Sequence, residues 1–232
     1  QMVVSNYGGV RIDGTNATII GSKLGEFIAD RNGISRVWMD HAVWPFMTTR
    51  LYLDQTGDIA VLLEKVRYFK DTQAERGTAI DKDWNDGYGM WQKTADGSVY
   101  AGTILEHLLV EHLCAFYEVG EHNEMRLRGA DWNDALDMAA DNGESVAFTC
   151  AYAGNLKQLA ECLRLLKDRL SCTEIELIEE INVLLKDEEG LYEDAEAKRE
   201  ILKEYTGLCR HEISGKKIQV PVHSLIDNLT HK

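Results

Sequence analysis

The stretch Arg128-Gly129-Ala130-Asp131-Trp132-Asn133-Asp134-Ala135-Leu136-Asp137 sets an indole between two carboxylates and an amide, just after a glycine and beside arginines. A flat apolar ring can cover the face of a pyranose, and close acids can hydrogen-bond its hydroxyls. One acid of such a pair can protonate a glycosidic oxygen. Composition alone leaves a second reading open: a capping loop, with Asp or Asn before a helix and Trp132 packed on the core. The position of the motif, after a long apolar helix and beside Arg126 and Arg128, adds weight to the sugar site.

Three further groups of residues bear on this chemistry. In Arg36-Val37-Trp38-Met39-Asp40-His41-Ala42-Val43-Trp44, Asp40 is well placed as a helix N-cap. The functional reading puts Asp40 and His41 at the mouth of a pocket, with Trp38 as another sugar platform. Asp81-Lys82-Asp83-Trp84-Asn85-Asp86-Gly87 echoes the Trp-Asn-Asp pattern and suits a turn, a sugar-contacting loop or a calcium loop. The EF-hand register fails, because Gln92 stands at the twelfth position, where a Glu is needed. Glu106-His107 and Glu111-His112 share one helix, but histidines five apart do not share a face, so the spacing speaks against zinc. Glu106 is a candidate for a polar residue aimed into the pocket. The chain carries no Gly-x-Ser-x-Gly elbow, no Walker loop and no dinucleotide fingerprint.

The elements that must position these residues follow from periodicity. Residues 1–36 read as loops with one short helix near Leu24 to Asp30. Val43, Trp44, Phe46, Met47, Leu51 and Tyr52 recur at helical spacing, and Gly57 ends that run. Asp58 is expected to cap a second helix reaching Phe69. Residues 71–100 form a long loop, a length that points to function when aromatic residues argue against disorder. Thr103 to Val119 is an amphipathic helix stopped by Gly120. Another runs from about Glu144 to Leu170, and Thr173 is expected to cap a helix through Leu184. Glu193 to Cys209 is a charged helix, Ile218 to Val220 a short strand, and Ser224 to Leu229 a last helical turn or two. The sum is an all-α fold of helix hairpins, with long loops lining a pocket.

The 232 residues are enough for one large domain, and 44% hydrophobic content with only 2 prolines suits a mostly helical core. A net charge of −14 disfavours nucleic acid and anionic membranes as partners, while a few local arginines can still hold a small anion. The 5 cysteines, Cys114, Cys150, Cys162, Cys172 and Cys209, form no Cys-x-x-Cys pair. They read as reduced thiols, which points to a cytoplasmic location. Neither a signal peptide nor an apolar run of membrane-spanning length is present.

Arg128 to Asp134, preceded by the Glu106-His107 helix and the Trp38 to Trp44 segment, resembles the inverting phosphorylases of glycoside hydrolase family 94. That family includes cellobiose and chitobiose phosphorylases. Ala130 and Ala135 make the motif most similar to the 1,2-β-oligoglucan phosphorylase branch. The resemblance covers most of residues 20–170. It implies that residues 1–232 are part of one (α/α)6-barrel catalytic domain. It makes Asp134 the general acid, Trp132 the wall of the donor-sugar subsite and Asp131 a supporting carboxylate, with Asp40 lining the same pocket.

The implied substrates are a β-linked glucose oligosaccharide, a β-1,2-glucan by the branch, and inorganic phosphate, with no cofactor and no metal. Phosphate is already an anion at neutral pH, so such an enzyme needs an acid but no base. Asp134 must then hold its proton near pH 7, which burial beside Trp132 and the charge of Asp131 would both favour. Homodimers occur in the family. The Arg-Asp and Gln-Asp segments expected upstream, and the His and Thr-Gly pieces that hold phosphate downstream, are not found here. The expectation is therefore an internal part of the domain that does not catalyse phosphorolysis alone. Two other readings stay open. An inverting α/α-barrel hydrolase would need a base among Asp40, Asp86 and Glu106, roughly 6.5–9.5 Å from Asp134. A non-catalytic helical carbohydrate-binding module would need neither phosphate nor Asp134.

Overall fold

The computed structural model describes residues 2–17, 19–23, 25–28, 39–128, 139 and 141–232. Its centre is a helix buried on every side. Thr103 opens it, its hydroxyl accepting from the Glu106 backbone N–H, and the helix runs Ile104–Tyr117. Ile104, Leu105, Leu108, Leu109, Val110 and Leu113 are all fully buried. A helix apolar all round has no solvent face and must be wrapped by neighbours. The longest helix, Val146–Leu170, does part of that wrapping. Ser145 caps it, and Tyr152, Leu156, Leu159, Leu163 and Leu166 make its inward stripe. Val146, in the first turn, is exposed.

In chain order the helices are α1 (Met2–Asn6), α2 (Val43–Thr56), α3 (Ile104–Tyr117), α4 (Val146–Leu170), α5 (Ala195–Leu208) and α6 (Val222–His231). Helix α2 ends at Gly57, whose φ of 70° supplies the left-handed turn that a glycine adopts without strain. Asp194 caps α5 by accepting from the Glu196 and Ala197 N–H groups. Helix α6 packs along α4, with Val222, Leu225 and Leu229 buried. The fold is mainly helical, as the hydrophobic spacing predicts. Among the described residues six α-helices are present, too few to close a ring of six helix pairs.

Small sheets stand where three helices were expected. The strands are β1 (Ile19–Ile20), β2 (Phe27–Ile28), β3 (Lys65–Arg67), β4 (Gln73–Ala74), β5 (Ala79–Ile80), β6 (Ala101–Thr103), β7 (Glu174–Ile178) and β8 (Lys217–Pro221). They pair antiparallel as β1–β2, β3–β6, β4–β5 and β7–β8. The helix expected over 58–69 is a 3-10 helix, Ile59–Leu63, followed by β3. There Val66 pairs with Gly102, so the ladder to β6 overrides the helical pattern. The helix expected from Thr173 is β7, followed by the 3-10 helix Glu179–Val183. Glu174, Ile175, Glu176 and Leu177 alternate, so Ile175 and Leu177 face the core while the glutamates face out. The strand expected at Ile218 is its partner. Strand β2 stands where the short helix near Leu24 was expected. Part of the long loop over 71–100 is ordered as the β4–β5 hairpin and bridges from Phe69 to Trp91 and Lys93 to Val99.

Candidate functional site

Two of the segments singled out by sequence leave the described residues from one place. Met39 and Ala42 share a buried cluster with Ala115, Met125 and Tyr152. The Tyr152 hydroxyl donates to the Met39 carbonyl. Beyond Met125 the chain pairs with its own return. The Leu127 N–H donates to the Gly143 carbonyl at 2.8 Å, and the Ser145 N–H to the Met125 carbonyl at 2.8 Å. The Arg126 guanidinium donates to the Asp141 carbonyl. Residues 125–127 and 141–145 are thus paired, with Met125 in the same buried cluster as Met39. Trp38, Asp131, Trp132 and Asp134 themselves lie outside the described residues.

Asp40 and His41 enter α2. The Asp40 carbonyl accepts from Val43 and Trp44, so its backbone starts the helix. Its side chain does not cap. Oδ2 accepts from the Trp44 indole N–H at 2.8 Å, and Oδ1 is buried with no partner among the described residues. A buried carboxylate oxygen left unmatched is costly unless a ligand or water meets it. Trp44 remains 55% exposed. It forms one wall of a cleft of about 230 Å³ with Tyr7, Asn16, Phe27, His41 and Thr48. Burial pulls the His41 pKa down, against the pull of Asp40, so the imidazole is neutral at pH 7. Aromatic faces with amide, hydroxyl and imidazole groups at the edge match a sugar, which is apolar on its faces and polar at its rim.

A row of polar groups runs inward from this cleft. Asn16 Nδ2 donates to Glu111 Oε1 at 2.7 Å, and Glu111 Oε2 has no partner among the described residues. Burial pushes the Glu111 carboxyl up to about 8, so it is protonated at neutral pH. Glu111 and His41 line a small void that also reaches Arg76. Arg76 donates from Nε to Glu118 Oε2 at 2.6 Å, and Arg128 donates from Nε to Glu118 Oε1 at 2.7 Å. Burial alone would raise Glu118, but the two guanidiniums reverse this and hold it below the usual carboxylate range. Arg76 sits in the left-handed region with φ 52°, as does Glu75 with φ 51°. Such backbone costs roughly 1–2 kcal/mol per residue. It persists in the β4–β5 turn because Glu118 and the Asp13 carbonyl fix the Arg76 side chain.

Glu106 lies elsewhere. It is buried in the core, where Tyr68 and Tyr100 donate to it at 3.0 and 3.1 Å on Oε1 and the Ile178 N–H at 2.9 Å on Oε2. Burial raises it to about 7. These are the protein's own donors, so Glu106 ties α3 to β7 rather than facing the cleft. His107 stacks on Tyr68 with centroids 3.7 Å apart, and its Nδ1 is bonded to the Thr103 carbonyl. In the 81–87 loop Asp81 and Asn85 accept from the backbone N–H groups of Asp83 and Gly87. These acceptors shape turns. All five cysteines are free thiols.

Of the residues singled out by sequence, Asp40 and His41 lie at the cleft and Arg128 lies on Glu118, while Asn16, Arg76 and Glu118, and Glu111 as a partner of Asn16, come into view only in the structure. For Glu111 a signal existed: a carboxylate on a helix otherwise apolar all round must be buried, and a buried carboxylate needs a partner. Asn16 and Arg76 come from distant loops and carried no local signal.

No family model matches the chain. What the comparisons support is a phosphorylase-like relationship. Over 130 residues the chain is 28% identical to the solabiose phosphorylase of Paenibacillus borealis, a match covering 55% of this chain and 13% of that protein. The chain thus spans only a small part of the relative's length. Among the described residues no helix is long and apolar enough to cross a membrane.

Proposed function

We propose that the full-length protein is an inverting glycoside phosphorylase of the family 94 type, built on an (α/α)6 barrel and acting on β-linked glucose oligosaccharides. The observation that supports this reading is the cleft beside Asp40, lined by Tyr7, Asn16, His41 and Trp44, whose aromatic faces and polar rim suit a sugar. The similarity to a phosphorylase supports it independently.

In this reading Trp44 and Trp132 give the sugar its apolar platforms. Asp40 Oδ1, His41 and Asn16 offer hydrogen bonds to hydroxyls. Asp134 gives its proton to the glycosidic oxygen as the bond from that oxygen to the anomeric carbon breaks. A phosphate oxygen attacks the anomeric carbon from the opposite face. The products are α-glucose 1-phosphate and an oligosaccharide one unit shorter. No base is required, because the nucleophile is already an anion. No cofactor or metal enters the scheme.

The test is a screen of the full-length protein against β-1,2-, β-1,3- and β-1,4-linked glucans with and without phosphate. Glucose 1-phosphate release that requires phosphate, greatest with the β-1,2-linked substrate, is expected. Equal cleavage without phosphate would replace this reading with a hydrolase. Saccharide binding without any cleavage would replace it with a binding module.

A further inference from the structure

A second cavity, of about 400 Å³, lies between α5, the β4–β5 turn and the 118–128 hairpin. Six cationic side chains line it: Arg76, Arg126, Arg128, Arg199, Lys203 and Arg210. Among the described residues two carboxylates do, Glu75 and Glu118. This is a concentration of positive charge in a chain whose net charge is −14. Glu118 is already shared by Arg76 and Arg128. Arg126 and Arg199 donate to the backbone carbonyls of Asp141 and Gly120. Among the described residues no carboxylate pairs with Arg126, Arg199 or Arg210. Burial lowers the Arg126 pKa, and the neighbouring Arg128 and Arg199 charges add to that. Val119 and Leu202 supply an apolar side to the same cavity.

Gathering guanidiniums without counter-ions is unfavourable, and a bound anion would relieve it. Guanidinium forks match the oxygens of a phosphoryl group, with paired N–H donors. The cavity has room for an organic body beyond that group. Long polyanions are disfavoured by the acidic remainder of the surface. We propose that this cavity is a binding site for a small phosphate monoester, gripped by Arg126, Arg128 and Arg199. The site stands on residues of this chain alone and does not depend on the proposed activity.

Calorimetric titration of the 232-residue chain at constant ionic strength tests it, with glucose 6-phosphate, inorganic phosphate and glucose as probes. Glucose 6-phosphate is neither substrate nor product of the proposed reaction, so its binding reads this cavity and not turnover. Saturable binding of glucose 6-phosphate is expected, tighter than inorganic phosphate, with none for glucose. Arg126→Gln and Arg199→Gln should each weaken it at least tenfold, while the remote Arg50→Gln should leave it unchanged. All three side chains are partly solvent-exposed, and thermal melting confirms that each variant folds. Absence of saturable binding, or equal affinity in the two cavity variants, would overturn the site. Inorganic phosphate binding as tightly as the monoester would overturn its assignment to an organic phosphate.

Discussion

Asp134→Asn in the full-length protein should lower phosphorolysis of a β-linked glucan by a factor of about 10²–10⁴, the usual contribution of a positioned general acid. Saccharide binding should be retained, since the amide keeps the shape of the side chain and one of its acceptors. A role in proton delivery has a further signature that a structural role lacks. With an aryl β-glucoside whose phenol leaves without a proton, the same variant should lose far less, so the two substrates separate chemistry from folding. An Asn variant as active as the parent on the glucan would remove Asp134 from this role. Equal losses on both substrates would assign it to positioning.

Glu118→Gln should cost about 3–5 kcal/mol of stability, the penalty for leaving a buried charge without its partner. Arg76 is 4% exposed and would lose its only carboxylate among the described residues, while its left-handed backbone would lose its anchor. Urea unfolding of parent and variant measures the difference. A double cycle with Arg76→Gln is informative, because residues in one ion network are not additive. The double variant should be less destabilised than the sum of the singles. Additive losses would mean that the pair does not act as a unit.

The pH dependence follows the same carboxylate. Its folded pKa lies below the unfolded value, so its contribution is complete above the unfolded pKa of about 4.3. That contribution is lost as pH falls through the folded value. The gap between parent and Glu118→Gln should therefore narrow on acidification below about pH 4.3. A constant gap down to strongly acid pH would contradict the ion-pair assignment.

The helical part of the fold was legible where one period dominated. Thr103 with the apolar run behind it, Ser145 before α4 and Gly57 after α2 are local signals, and local physics decided them. It failed where the sequence fitted two periods at once. Ile175, Leu177, Ile178 and Ile181 suit a helical stripe, yet Glu-Ile-Glu-Leu also alternates, and the partner strand forty residues later settles the choice. Strand β3 repeats this lesson, since its pairing with β6 is invisible from residues 58–69 alone.

Around the cleft, sequence points to residues near the motifs and gives no sign of those brought from afar. Asp40 was read as a cap or a pocket residue. Its carbonyl starts the helix while its side chain grips Trp44, a bond that neither reading contains. Glu106 shows the opposite limit. A polar residue on an apolar helix pointed equally to a pocket or to a buried network, and Tyr68 and Ile178 are too distant in sequence to suggest the network. The cationic cavity was the least legible, because Arg76, Arg126 and Arg199 converge only in the folded chain.

NMR of the sugar phosphate formed from a β-linked glucan by the full-length protein in phosphate buffer bears most directly on the proposed chemistry. Attack by phosphate opposite a departing sugar requires α-glucose 1-phosphate as the first product, and none when phosphate is left out. The β-anomer, or free glucose released at the same rate in phosphate-free buffer, would contradict it.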